Sequence, residues 1–252
     1  MLSKRIIAAL DIQDGRVVKG IQFEAIREVG DPVASAIAYE RQGIDEIVFL
    51  DITASHEKRG LLKALATSVA QTLSIPFTVG GGLSSVSDMK EVIKTGADKV
   101  FINSAAVRNP LLIQEAAKVI GSANICVAVD AKKTGDSWNV YINGGRLDTG
   151  KDALEWCREC ERLGAGEILL TSMDTDGVRQ GFDIPLTKRV SETVNIPVIA
   201  SGGAGSIGDF VEVFEQTTAS AALAASIFHY GTVNITTLKN ELERAGINVR
   251  KD

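Results

Sequence analysis

Residues 75–85 read Ile-Pro-Phe-Thr-Val-Gly-Gly-Gly-Leu-Ser-Ser, and residues 196–206 read Ile-Pro-Val-Ile-Ala-Ser-Gly-Gly-Ala-Gly-Ser. Ile75-Pro76 is answered by Ile196-Pro197, Gly81-Gly82 by Gly202-Gly203 and Ser85 by Ser206, each 121 positions later. The runs at 46–50 (Glu-Ile-Val-Phe-Leu) and 167–171 (Glu-Ile-Leu-Leu-Thr) keep that interval, and Asp11 and Asp130 stand 119 apart. A unit repeated at about half the chain length predicts two similar halves, about 1–122 and 123–252.

Working outward, short apolar or β-branched runs recur near 5–11, 46–52, 75–80, 98–104, 124–130, 166–172, 196–201 and 220–225. Helix signals separate them. Asp31-Pro32 and Asn109-Pro110 read as helix starts with Gly43 and Gly121 as stops, and Ser85 with Asp88, like Ser206 with Asp209, resembles a capping box. Eight strand–helix alternations in 252 residues predict a single α/β domain, a (β/α)8 TIM barrel built from two similar half-barrels. A doubly wound open sheet is the alternative. Repetition favours the barrel, because neither half could cover its strand edges alone and closure removes them.

Composition sets the outer bounds. With 45% apolar and 23% charged residues the chain has material for a large core, which excludes disorder. A net charge of −5 argues against a sequence-independent grip on nucleic acid or an anionic membrane, so any anionic ligand must be held locally. No apolar run approaches the roughly 20 residues of a membrane span, and Met1 to Arg5 leads straight into Ile6 to Leu10 without a signal-peptide pattern, so a cytoplasmic protein is expected. Three cysteines make no disulfide framework. Cys157-x-x-Cys160 lies in a helical pattern with no second pair or nearby His, and reads as two half-buried helix cysteines rather than a zinc or redox site. No metal or cofactor is expected.

In such a barrel, chemistry belongs at the C-terminal ends of the strands. Asp11, Asp51 and Asp130 end the first, second and fifth strands, and the loop after the sixth holds Asp174 and Asp176. The first and fifth strands oppose each other in an eight-stranded ring, so Asp11 and Asp130 face across the mouth as a candidate acid and base. The plainer use of a strand-end Asp is to cap the next loop; two at matching places in two halves favour catalysis. Gly81-Gly82 and Gly202-Gly203 would present bare backbone N–H groups to an anion, with Asn103-Ser104 and Ala225-Ser226 as partners from the following loops. Two such cradles imply a substrate carrying a phosphate at either end. Residues 12–30 read as a long lid loop with glycine hinges in which Lys19 folds over an anion, and Asn143-Gly144-Gly145 signals a hairpin within 131–150 on the same face. His56 and His229 lie near no nucleophile motif and read as surface or packing residues.

Taken together, Leu10-Asp11, Gly15-Arg-Val-Val-Lys-Gly20, Gly30-Asp-Pro32, Phe49-Leu-Asp-Ile-Thr-Ala-Ser55, Val79-Gly-Gly-Gly82, Gly96-Ala-Asp-Lys-Val100, Gly164-Ala-Gly-Glu-Ile-Leu-Leu-Thr-Ser172, Asp176-Gly177 and Ala200-Ser-Gly-Gly-Ala-Gly205 resemble the cyclase subunits of imidazole glycerol phosphate synthase, in histidine biosynthesis. The resemblance spans essentially the whole chain. It implies a lyase that reacts ammonia from a separate glutaminase subunit with a bisphosphorylated phosphoribulosyl aminoimidazole carboxamide nucleotide, giving imidazole glycerol phosphate and the aminoimidazole carboxamide ribotide. By that likeness Asp11 and Asp130 are the acid and base, and Lys19 belongs to a mobile loop. Gly82, Asn103 and Ser104 hold one phosphate, and Gly177, Gly203, Ala225 and Ser226 the other. Thr171 and Ser201 line the substrate, alongside Asp51, Gly81, Asp176 and Gly202. Arg5, Glu46, Lys99 and Glu167 form a charged ammonia gate at the barrel bottom, where the glutaminase docks to make a heterodimer.

The chain departs from that pattern at Ala9 and Phe101, where the family usually has Cys and Ser. Strand alternation turns both inward, which predicts an exchange of volume and a narrower ammonia route. Two rivals remain at this point: the sister sugar isomerase of the same pathway, and a catalytically silent glutaminase-docking relative.

Overall fold

The computed structural model describes residues 2–21, 24–52 and 59–251, and within these the side chains of all but residues 19–21, 24–29, 59 and 61. In chain order the elements are β1 (Arg5–Gln13), β2 (Arg16–Ile21), β3 (Glu24–Gly30), α1 (Pro32–Arg41), β4 (Glu46–Asp51), α2 (Arg59–Ala70), β5 (Phe77–Gly80), α3 (Val86–Lys94), β6 (Lys99–Ile102), α4 (Ser104–Arg108) and α5 (Leu111–Ile120). The second half continues with β7 (Ile125–Thr134), β8 (Ser137–Ile142), β9 (Leu147–Asp152), α6 (Ala153–Leu163), β10 (Glu167–Ser172), α7 (Ile184–Thr193), β11 (Val198–Ser201), α8 (Ile207–Gln216), β12 (Ala221–Ala224), α9 (Ser226–His229) and α10 (Ile235–Arg244).

Eight of the strands close a parallel ring in the order β1-β4-β5-β6-β7-β10-β11-β12, with β12 paired back to β1. This is the expected (β/α)8 barrel, and the open-sheet alternative falls. The strands read as continuous apolar runs because both of their faces are covered. Outward residues such as Ile6, Leu10, Ile47 and Phe49 are fully buried under the helices, and Ile7, Val48, Phe101, Cys126, Leu169 and Ile199 pack together inside the ring. Full burial of such a side chain is worth about 1.5–3 kcal/mol.

Local signals start the helices where the sequence places them. Asp31 Oδ1 accepts from Ala34 N at 2.8 Å to open α1, and Ser85 Oγ accepts from Asp88 N at 3.1 Å to open α3. Asp209 Oδ2 accepts from Gly205 N and Ser206 N at 2.7 and 2.8 Å at the head of α8. At α5 the cap is Pro110, one residue beyond the expected Asn109, and it makes no side-chain cap bond. Besides the eight expected helices, short α4 and α9 follow the fourth and eighth barrel strands; at five and four residues they carry no helical period to read.

Two expectations are corrected. Residues 12–30 are not a plain loop: β1 continues past Asp11 to Gln13, turns at Asp14-Gly15 and pairs antiparallel with β2, which pairs with β3. Asp14 and Gly15 both take positive φ, +50° and +77°, the hairpin-turn conformation that an Asp-Gly pair supplies. The expected 131–150 hairpin is present as β7–β8–β9, turned at Asn143-Gly144-Gly145. Cys157 and Cys160 are fully buried on α6 rather than half-buried, because that face of the helix packs on the barrel. No described helix is long and apolar enough to cross a membrane.

Candidate active site

Side chains alternate across each strand, so the barrel interior is built in layers two residues apart. Arg5, Glu46, Lys99 and Glu167 begin β1, β4, β6 and β10 and form the bottom layer. Arg5 Nη1 lies 2.7 Å from Glu46 Oε2 and its Nη2 donates to Glu167 Oε1; Lys99 Nζ lies 2.7 Å from Glu167 Oε2 and 3.2 Å from Glu46 Oε1. The four make a closed, alternating ring of charge in which the Thr78 hydroxyl also donates to Glu46, at 2.8 Å. Two residues on, Ile7, Val48, Phe101 and Leu169 form an apolar layer.

Above that layer opens a cavity of about 1100 Å³, floored by Val48, Phe101, Ala128, Leu169 and Leu223. Asp11 and Asp130 enter it from β1 and β7, which lie opposite each other in the ring. Asp130 Oδ2 accepts from Asn103 Nδ2 at 2.8 Å. Burial pushes the Asp130 carboxyl up to about 6, the Asn103 bond pulls the other way, and the negative charge of Asp176 adds to the rise. A carboxyl titrating there can both take and return a proton near neutrality. Asp130, Thr171 and Ser201 stand in register across β7, β10 and β11, so one wall presents them as a row.

Both glycine turns reach the same cavity, for a steric reason. A Cβ on Gly81, at φ +109°, would fall 2.2 Å from the carbonyl oxygen of Asp51; one on Gly202, at φ +89°, would fall 2.7 Å from that of Ser172. No side chain fits there, so each turn shows bare backbone to the cavity. Residues 51 and 172 are themselves 121 apart, so the sequence repeat is also a repeat of contacts.

The description "Histidine biosynthesis protein" belongs to the family that matches residues 5–234. The chain belongs to that family. It is 62% identical to the imidazole glycerol phosphate synthase subunit HisF of Thermococcus onnurineus over 250 residues, covering 99% of each chain. The same name and identity hold for relatives in Petrotoga mobilis, over 99% of this chain and all of the relative, and in Pyrococcus furiosus, over the full length of both.

Within this histidine biosynthesis chain the cavity gathers Asp11, Gly81, Gly82, Asn103, Ser104, Asp130, Thr171, Asp176, Gly177, Ser201, Gly202, Gly203, Ala225 and Ser226. Asp51 is not on its wall; it is buried behind the Gly81 turn and contributes the carbonyl that shapes it. Asp174 is also off the wall, with Oδ2 accepting from Lys133 N at 2.7 Å. The Lys19 side chain and all of His56 lie outside the described residues. His229 packs against Tyr39, its Nδ1 meeting the phenol oxygen, as a packing residue would. Arg108, Arg146, Arg179, Asn143 and Tyr230 line the cavity without having been singled out as site residues. Arg146 was legible only as part of a hairpin on this face, and Arg108 depended on the unread helix α4.

Proposed function

We propose that this chain is the cyclase subunit of imidazole glycerol phosphate synthase, acting in the cytoplasm on ammonia delivered by a glutaminase subunit. The substrate in this reading is the bisphosphorylated phosphoribulosyl aminoimidazole carboxamide nucleotide. The observation that carries it is the opposition of Asp11 and Asp130 in one cavity shared by both glycine turns. One phosphate rests against Gly82, Asn103 and Ser104, and the other against Gly177, Gly203, Ala225 and Ser226. The body of the substrate then spans the two carboxylates beside Thr171 and Ser201. Ammonia adds to the ribulosyl carbonyl and water leaves, giving an imine; cleavage frees the carboxamide ribotide, and closure of the remaining fragment forms the imidazole ring. Each step moves a proton to or from the reacting atoms, and Asp130 near pKa 6 is matched to that duty, with Asp11 serving the opposite side. This chemistry calls for no metal or cofactor.

In the same reading the glutaminase docks on the N-terminal face, over the ring of Arg5, Glu46, Lys99 and Glu167, and ammonia passes through that ring. Alternating charges at hydrogen-bond distance and the apolar layer above them suit a passage that admits a small neutral molecule and excludes hydrated ions. The two halves, about 1–122 and 123–252, are read as similar half-barrels. Support comes from β4, β5 and α3, which are matched by β10, β11 and α8, each beginning 121 residues later. The test is to supply the bisphosphate substrate with ammonium salt at alkaline pH and follow release of the carboxamide ribotide. Turnover of the unrearranged ribosyl precursor instead would point to the isomerase, and no turnover of either to a docking protein.

A further inference from the structure

The described charged residues of the cavity wall are Asp11, Asp130 and Asp176 against Arg108, Arg146 and Arg179. In a protein of net charge −5, those three arginines are the positive charge that the described wall offers a ligand with two phosphates. They are not shared evenly between the two ends. Arg179 stands at the Gly177 end, its guanidinium 5.4 Å from the centre of the Tyr230 ring.

Arg108 and Arg146 belong to the other end, and a specific contact brings them there. The β8–β9 turn is bound twice to α4: Asn143 N donates to Ser104 Oγ at 3.0 Å, and Arg108 Nη2 donates to Asn143 Oδ1. Asn143 holds φ +58°, followed by Gly144 at +65° and Gly145 at +78°, three left-handed residues in a row that fold the turn back on itself. Arg146 N then closes the turn onto Ile142 O at 3.1 Å, which fixes the backbone from which its side chain leaves. Asn143 is thus a positioning residue: its backbone engages Ser104 and its side chain steadies Arg108. A guanidinium has five N–H donors, so Arg108 retains donors for an anion after the Asn143 bond.

We infer that Arg108 and Arg146 form a clamp, assembled by Asn143, on the anionic group at the Gly82–Ser104 end of the substrate. This rests on the cyclase reading above and adds to it the residues that give this end its charge. Among the described residues the two ends therefore hold their phosphates differently, one by backbone and two arginines, the other by backbone and one.

The test measures KM and kcat with the bisphosphate substrate and ammonium salt across a range of ionic strength, for the full chain and for Arg108→Ala, Arg146→Ala, their double variant and Asn143→Ala. Inorganic phosphate serves as a competing probe. The double variant is expected to raise KM about tenfold, the loss that goes with charge-assisted hydrogen bonds, and to raise it more than it lowers kcat. Its KM should also depend less on salt, and phosphate should compete less well. Asn143→Ala should raise KM in the same direction, and Arg108→Lys should recover only part of the loss, since a point charge lacks the planar fork. Arg108 and Arg146 are exposed, so their variants should unfold close to wild type, whereas Asn143→Ala should unfold at a lower midpoint because it places Ala at φ +58°. If the wild type turns over while the double variant keeps its KM and its salt dependence, the clamp is refuted; if the wild type itself does not turn over, the cyclase reading fails instead.

Discussion

The ring of Phe101 lies where a side chain on Gly80 would stand: a Cβ built on Gly80 falls 2.4 Å from both Cδ1 and Cε1 of Phe101. The two are paired in register on β5 and β6. The exchange of volume expected for Phe101 was with Ala9, whereas the contact that makes room for its ring is with Gly80. Ala9 packs at the edge of the same interior cluster, but the bare Cα of Gly80 is what the ring covers. Gly80→Ala should destabilise the fold by about 1–3 kcal/mol, the usual cost of overpacking a core. Combining it with Phe101→Leu should recover part of that loss. Urea unfolding of the two single variants and the pair gives the coupling, and strictly additive losses would contradict the contact.

Asp130 supplies a pH prediction. Its folded carboxyl sits at about 6 against an ordinary 3.8, chiefly through burial, so between those values the native state binds the extra proton and stability falls as pH rises. Asp130→Asn should flatten stability across that window. In the active protein, kcat/KM should show an inflection near pH 6. Removing the stabilising amide with Asn103→Ala should move it upward, since that bond favours the charged carboxylate. An inflection unmoved in Asn103→Ala would separate it from Asp130.

The parts of this structure legible in the sequence are those in which local pattern and tertiary role agree. Apolar runs became barrel strands because a parallel strand is covered on both faces. The glycine pairs were legible because the carbonyls of Asp51 and Ser172 leave them no alternative. The β1–β2 hairpin was obscured because the glycines of 15–20 read as hinges, whereas Asp14-Gly15 is the turn between those two strands. Arg108 and Arg179 were missed for another reason: their meaning depends on which loops a closed ring brings together. Asn103 and Asp130 are 27 residues apart, and only the adjacency of β6 and β7 puts one amide on the other's carboxylate.

Within the bottom ring Glu46 is bonded to Arg5, Lys99 and Thr78, whereas Glu167 is bonded to Arg5 and Lys99, and both carboxylates are nearly inaccessible. Glu46→Ala should cost about 3–5 kcal/mol, because it leaves two cations facing a single buried partner. Thr78→Val should cost about 1 kcal/mol, the net worth of one hydrogen bond. Replacing all four ring residues with apolar groups of similar size should cost less than Glu46→Ala alone, since no charge is then left unbalanced. Denaturant midpoints of the three variants rank these outcomes, and a fourfold variant weaker than the single one would show that the ring contributes more than charge balance.

In the proposed cyclase reading, Phe101 also bears on how ammonia reaches the cavity. It belongs to the apolar layer that lies above the charged ring and floors the cavity, so any molecule that has passed Arg5, Glu46, Lys99 and Glu167 meets its ring next. In the same reading, ammonium supplied in solution reaches the cavity from the open mouth and bypasses that layer. Phe101→Ser should therefore raise glutamine-driven turnover relative to ammonium-driven turnover severalfold, while both rates share whatever change the variant makes to the chemistry. Large-to-small replacement in a core costs about 3–5 kcal/mol, so the comparison is made on protein shown to be folded by its unfolding curve. The ratio is the decisive quantity because loss of fold, substrate affinity or proton transfer lowers both rates together, whereas a wider interior path raises only the one fed from below.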